Sequence, residues 1–89
     1  MTRQNDSLLE FPCDFPVKAM GLAADDFQAL VVDLVTPHAG PVDDSAIVTK
    51  PSANGKYLSV TITITALNKI QLDAVYQALS NHERVLMAL

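Results

Sequence analysis

The segment at residues 50–66, KPSANGKYLSVTITITA, contains the clearest strand of the sequence. From Lys56 onward, apolar and polar residues alternate strictly, which is typical of a strand with one buried face. The apolar side consists of Leu58, Val60, Ile62, Ile64 and Ala66, and the polar side of Tyr57, Ser59, Thr61, Thr63 and Thr65. Asn54 and Gly55 can take positive φ, so residues 51–55 are predicted to form the turn of a hairpin that leads into this strand.

Upstream of the hairpin, the sequence predicts a strand, a helix and an edge strand. The first strand covers residues 15–22 and places Phe15, Val17, Ala19 and Gly21 on one face, with Lys18, Met20 and Leu22 on the other. Asp25 and Asp26 favour a helix start, because either carboxylate can cap a free backbone N–H. An apolar stripe of Phe27, Leu30, Val31, Leu34 and Val35 continues this helix, and Pro37 is expected to end it. Residues 38–44 then form a loop, and residues 45–50 form an edge strand that ends at Pro51.

Downstream of the central strand, a second helix and a last strand are predicted. Asn68 and Gln71 have the spacing of an N-cap with a side chain that reaches back. The apolar face of this helix is formed by Leu72, Val75, Tyr76 and Leu79, with Ile70 as a further member. Asn81 is expected to stop the helix in a left-handed conformation, and residues 85–89 form a strand that is apolar on both faces.

This order of elements predicts an α+β fold, a ferredoxin-like βαββαβ sandwich. Its four-stranded antiparallel sheet has the order 4-1-3-2, with both helices on one face, because a hairpin and two right-handed crossovers are satisfied together by that arrangement. The third strand is then central. Residues 8–89 form the single domain, and the polar residues 1–7 form a flexible tail.

Composition limits the classes of function. The 89 residues carry a net charge of -4, so the long-range field of the protein repels phosphate backbones and argues against nucleic acid as a partner. The single Cys13 cannot form an internal disulfide, so a reducing cytoplasm is the expected location. No signal peptide is predicted, and no apolar run approaches the roughly 20 residues of a membrane span.

Particular residues resemble those of the YbeD-like family of small bacterial proteins. They are Leu8-Leu9-Glu10-Phe11-Pro12 with Phe15, Lys18-Ala19-Met20-Gly21, and Lys50-Pro51-Ser52 with Gly55, Tyr57 and Ser59-Val60. The resemblance covers nearly the whole chain and implies a domain similar to ACT domains, the regulatory modules that bind amino acids or other metabolites at interfaces between copies. The family is uncharacterised, and likeness of fold does not carry function.

The sheet face away from the helices is the first candidate site. Lys18 and Met20 are expected on this face together with the polar side of the central strand. Hydroxyl groups, a lysine and an aromatic ring would then lie on one surface of the sheet. Such a face can contact a partner or a second copy, or hold a small anionic metabolite. Threonine is also favoured at exposed strand positions for its fit to the backbone, which makes a merely solvated face the competing interpretation.

The hairpin turn is the second candidate site. Two lysines, Lys50 and Lys56, flank Ser52, Asn54 and Gly55, and free amides of the turn are expected to complete an anion-binding concavity. The spacing is not that of a phosphate loop, and lysines beside a hairpin also serve solubility.

No catalytic, cofactor or metal site is predicted. Cys13, His38 and His82 lack the short spacings of zinc sites, and no arginine precedes a helix in the way that a phosphate cradle requires. RNA-recognition domains share this topology but stack bases on aromatic residues, whereas the open sheet face offers only Tyr57. The sequence therefore predicts a non-enzymatic module that acts by regulation or protein contact, with a metabolite sensor as the alternative.

Overall fold

The computed structural model describes residues 10–89, which form one sheet covered by two helices. The strands are β1 (Cys13–Leu22), β2 (Ile47–Pro51), β3 (Tyr57–Ala66) and β4 (Met87–Ala88), and the helices are α1 (Phe27–Ala39) and α2 (Lys69–Ser80). The sheet order is β2-β3-β1-β4, and every neighbouring pair is antiparallel. The predicted ferredoxin-like fold is therefore confirmed, because 4-1-3-2 is the same order read from the other edge.

The core lies between the helices and one face of the sheet. It contains inward residues of β1 and β3, the buried residues of both helices, and Val85 from the segment before β4: Val17, Ala19, Phe27, Val31, Val35, Val60, Ile62, Ile64, Ala66, Leu72, Val75, Leu79 and Val85. The alternation of β3 therefore assigned its two faces correctly. Leu58, at the hairpin end of β3, is only half-buried and packs against this cluster.

Gly21 allows the closest approach between β1 and its neighbours. A Cβ atom at this position would lie 2.5 Å from Cε1 and 2.7 Å from Cζ of Phe27, and it would also meet the backbone carbonyl oxygen of Arg84. Gly21 and Phe27 are both buried, so neither the strand nor the ring has free space beside it. Only a residue without a side chain fits here.

Helix α1 differs from its prediction at both ends. Asp26 is the N-cap residue, but its side chain makes no capping hydrogen bond. The helix runs past Pro37 to Ala39 and ends at Gly40, whose φ is 82°. The predicted end at Pro37 is wrong because this proline lies on the exposed side of the last turn, where the Asp33 carbonyl that loses its N–H partner can bond to water.

Strand β2 starts two residues later than predicted. A 3-10 turn at Asp44–Ala46 occupies the beginning of the predicted strand, and the ladder with β3 extends from Ile47 to Pro51. The prediction that this strand lies at the edge of the sheet is confirmed. Pro51 is thus accommodated at the last position of an edge strand.

Helix α2 confirms its predicted start and corrects two other expectations. The Gln71 N–H donates to Asn68 Oδ1 at 2.8 Å, and the Gln71 side chain reaches back to accept from the Leu67 N–H at 2.6 Å. Ile70 does not join the apolar face, since 83% of its surface is exposed. Asn81 has φ of -81° and is not left-handed, because its N–H bonds to carbonyls of the last turn in a right-handed conformation.

Strand β4 is shorter than predicted, although its neighbours also bond to β1. Met87 and Ala88 pair with Met20 and Ala19, while Lys18 and Leu89 exchange both backbone hydrogen bonds, at 3.0 and 2.8 Å. At the N-terminal end, Phe11 packs against the core. The predicted tail at residues 1–7 lies outside the described residues.

We expect Asn68→Ala to lower the free energy of unfolding by about 1 kcal/mol, because it removes the side chain that accepts from the Gln71 N–H. Urea denaturation followed by circular dichroism measures the change. Asn81→Ala is the matched control, since Asn81 acts at the other end of α2 through its backbone N–H. Equal losses in the two variants would contradict the role of Asn68 as a cap.

Candidate functional site

The face of the sheet away from the helices gathers most of the predicted site residues. We call it the open face and define it by the outward side chains at its centre: Lys18 and Met20 of β1, Val48 and Lys50 of β2, Tyr57, Ser59, Thr61 and Thr63 of β3, Met87 of β4, and the adjacent Leu89. Every one of these residues is at least partly exposed, in contrast to the buried residues that alternate with them. The face is therefore available for binding.

Two hydroxyl groups lie between two lysines on the open face. In the register of the sheet, Ser59 is opposite Lys50 on one side and Met20 on the other, while Thr61 is opposite Lys18 and Val48. The spacing of strands places the backbones of Lys18 and Lys50 about 12 Å apart. Ser59 and Thr61 are half-buried because each has a strand on both sides, whereas Thr63 is exposed. The structure thus brings Lys50 onto the same face as Lys18.

The open face also carries an apolar strip that was not predicted. The strip consists of Met20 on β1, Met87 on β4 and Leu89, and it keeps 50% of the surface of Met87 and 61% of the surface of Leu89 exposed. Met87 lies directly opposite Met20, so the two methionines are neighbours in the strip. Val48, which is 51% exposed, lies apart from the strip on β2, with Thr61 and Lys18 between them. Residues 85–89 are apolar on both faces, so their sequence does not show which side chains point outward. The register against β1 shows that Met87 and Leu89 do.

The hairpin turn uses its amides internally. The Gly55 N–H donates to the Ser52 carbonyl at 2.9 Å, the Lys56 N–H to Asn54 Oδ1 at 3.1 Å, and the Tyr57 N–H to Ser52 Oγ at 3.1 Å. Three amides that were expected to be free are therefore bonded within the turn, one to the Ser52 carbonyl and two to the side chains of Asn54 and Ser52. Gly55 takes the positive φ of 76°, and Asn54 does not take a positive value.

The residues of the second candidate site consequently separate into two groups. Ser52, Asn54 and Gly55 build the turn, and the Ser52 hydroxyl donates to Asn54 Oδ1 at 3.0 Å. Lys56 lies at the border of the open face, where its ammonium group is 5.5 Å from the centroid of the Tyr57 ring. This distance permits a cation–π contact. A binding role for any of these residues stays a prediction.

An ion pair at the start of α1 was missed by the sequence analysis. Both terminal nitrogens of the Arg84 guanidinium, Nη1 and Nη2, donate to the Asp26 carboxylate, at 3.1 and 2.7 Å, across 58 residues of chain. These hydrogen bonds, and secondly the positive charge of Arg84, hold the pKa of Asp26 below its ordinary value. The pair explains why Asp26 does not cap the helix. No short-range signal in the sequence links two residues so far apart.

The same ion pair borders a hollow of about 330 Å³ lined by Leu22, Ala24, Glu83, Arg84 and Leu86. The side chains of Asp26 and Arg84 are 71% and 37% exposed, so water screens their interaction. Because the donors of Arg84 are directed at Asp26, the guanidinium has its counter-ion within the chain. The hollow is therefore mainly apolar in character.

Residues 10–89 contain no group of three or more histidine, cysteine, aspartate or glutamate side chains arranged to hold a metal ion. Neither α1 nor α2 has the length and apolar character that crossing a bilayer requires. Cys13 is half-buried and packs against the core.

Comparison with known proteins identifies the family. A family model described as "Protein of unknown function (DUF493)" matches residues 6–89. A UPF0250 protein of Paraburkholderia phymatum is 40% identical over 89 residues, and the alignment covers 100% of this chain and 100% of that relative. UPF0250 protein NE1487 of Nitrosomonas europaea is 45% identical over 84 residues, which cover 94% of this chain and 97% of that relative.

A solved structure shares the fold. The solution structure of protein HP0495 from H. pylori aligns with a TM-score of 0.72 at 18% sequence identity, covering 91% of this chain and 85% of that one. This likeness shows the fold. The family match over residues 6–89 and the relatives of matching length confirm the resemblance to YbeD-like small bacterial proteins. The chain belongs to the DUF493 family.

Proposed function

We propose that this protein is a non-enzymatic, cytoplasmic, ACT-like module that acts by regulation or protein contact, with the open face as its binding surface. The partner is another protein or a second copy of this chain. The observation that supports the proposal is the composition of the open face, where an apolar strip lies beside two lysines and two half-buried hydroxyls.

The apolar strip distinguishes this surface from one that only contacts water. One face of an antiparallel sheet is commonly solvated, and its outward residues are then polar. Here Met87 and Leu89 expose half or more of their surface, and Met20 adds to them from the neighbouring strand. Contiguous apolar area with a polar margin is characteristic of protein interfaces, in which methionine is enriched.

We expect protein immobilised away from the open face to retain a specific partner from a lysate of the bacterium that encodes it. Thr61→Arg should abolish retention, because a side chain much larger than threonine then covers the centre of the open face. Binding is then measured with the purified partner, or by sedimentation if the partner is a second copy. Gln77→Arg is the matched control, since it adds the same side chain at an exposed position on α2.

Two results would contradict the proposal. The first is a partner whose binding is unaffected by Thr61→Arg but lost with Gln77→Arg, which would move the interface to the helices. The second is a rise in melting temperature with a small anion, in the absence of any partner, that Lys50→Ala abolishes. That result would favour the alternative of a metabolite sensor, for which the hydroxyls of Ser59 and Thr61 between Lys18 and Lys50 are the specific observation.

A further inference from the structure

Charge is distributed unevenly between the two sides of the domain. The protein carries a net charge of -4, yet Lys18 and Lys50 both lie on the open face, and Lys56 lies at its border. Within the four strands, Asp14 is the only acidic residue of the described chain. It is four positions from Lys18 along β1, about 13 Å away. The centre of the open face is therefore locally basic in an acidic protein.

The two basic positions lie beside the apolar strip, on the side toward β2. Met20 on β1 lies opposite Met87 on β4. On its other side, Met20 lies opposite Ser59 on β3, and Ser59 in turn lies opposite Lys50 on β2. Lys18 lies two positions along β1 from Met20. Methionine side chains are flexible and polarisable, so such a strip adapts to apolar groups of different shape. The lysines then determine which charge can approach it.

We propose that the open face binds an acidic, amphipathic protein segment, with apolar side chains on the methionine strip and carboxylates at Lys18 and Lys50. This inference rests on the proposed function and names the chemistry of its partner. The two carboxylates would be separated by about 12 Å, the distance between the backbones of the two lysines. Four residues of an extended segment, or eight residues of a helix, span that distance.

A protein segment fits this surface better than a nucleic acid does. Double-stranded DNA carries a charge for every 1.7 Å or so of its axis, so a bound duplex would bring phosphates toward the acidic loops as well as the lysines. A segment with a few carboxylates needs only the two lysines. At physiological ionic strength, the field of an exposed charge decays over about 8 Å, so acidic residues outside the strands oppose such a segment less than direct contact with the two lysines favours it.

The test is selection of 12-residue peptides from an unbiased phage-displayed library on the folded full chain. We expect the enriched peptides to carry net negative charge together with apolar residues. Synthetic copies should bind the wild type about tenfold more tightly than the double variant Lys18→Ala/Lys50→Ala. The affinity should also fall as salt is raised. Lys69→Ala is the matched control, because it removes a lysine at the start of α2.

The outcomes separate this inference from the proposed function. Neutral or basic peptides that bind the wild type and are lost with Thr61→Arg would overturn the acidic partner while supporting the open face as a binding surface. Acidic peptides that bind the double lysine variant as tightly as the wild type would likewise overturn it. Peptides whose binding is unchanged both by the double lysine variant and by Thr61→Arg would contradict the acidic partner and the open face as a binding surface.

Discussion

Replacing Ile62 by aspartate is expected to unfold the domain. Ile62 lies at the centre of β3 with none of its surface exposed, and no basic side chain of the described residues is buried in the core to pair with a carboxylate. An unpaired charge at this position costs more than the roughly 5–10 kcal/mol by which such a domain is stable. Far-UV circular dichroism and urea denaturation would show loss of the cooperative transition.

Thr63→Asp is the matched control for this change. It introduces the same charge one residue further along β3, on the exposed side of the strand. We expect its cost to be about 1 kcal/mol or less, which is the range of strand propensity at exposed positions. A folded Ile62→Asp protein beside an unfolded Thr63→Asp protein would mean that the two faces of β3 are reversed.

Gly21→Ala is expected to destabilise the domain by about 3 kcal/mol, at the upper end of what overpacking costs. The added Cβ would lie 2.5 Å from the ring of Phe27 and against the carbonyl of Arg84. The ring is fully buried and the carbonyl belongs to the backbone, so relief requires movement of α1 or of the segment before β4. The change in unfolding free energy from urea denaturation measures this cost.

Gly55→Ala separates steric conflict from backbone strain. Gly55 has a φ of 76° and no atom near the position of an added Cβ, so alanine there meets strain without a clash. Its expected cost is about 1–2 kcal/mol. If Gly21→Ala were as stable as the wild type, the packing of β1 against Phe27 would be looser than these distances require.

The sequence predicted those features of the fold that depend on a local period. The alternation of β3 assigned its buried and open faces, and the spacing of Asn68 and Gln71 located the start of α2. The helix end at Pro37 could not be predicted in the same way. The cost of a proline depends on whether the lost hydrogen bond lies inside a helix or in its last, exposed turn, and tertiary context decides where that turn is.

The candidate site was predictable only for the central strand and its first neighbour. Lys18, Ser59 and Thr61 share a face because period-two alternation fixes that face on each strand. The contributions of Val48 and Met87 depend on which residue of an edge strand lies opposite which residue of its neighbour. The pair of Arg84 and Asp26 depends on a contact across 58 residues, for which sequence spacing gives no evidence.

The position of Pro51 has a consequence for aggregation. The Ser52 N–H donates to the Tyr57 carbonyl of β3, so the backbone groups of Ser52 face β3. Because these groups alternate in direction along an antiparallel edge strand, those of Ile47, Thr49 and Pro51 point away from the sheet. Pro51 has no N–H, and the N–H of Ile47 is bonded to the Asp44 carbonyl. Thr49 is thus the one residue of β2 that can offer an amide to a strand of another molecule. An exposed edge strand can pair with the edge strand of another molecule and so start aggregation. At the β2 edge, the protein offers almost no free backbone N–H groups for such pairing.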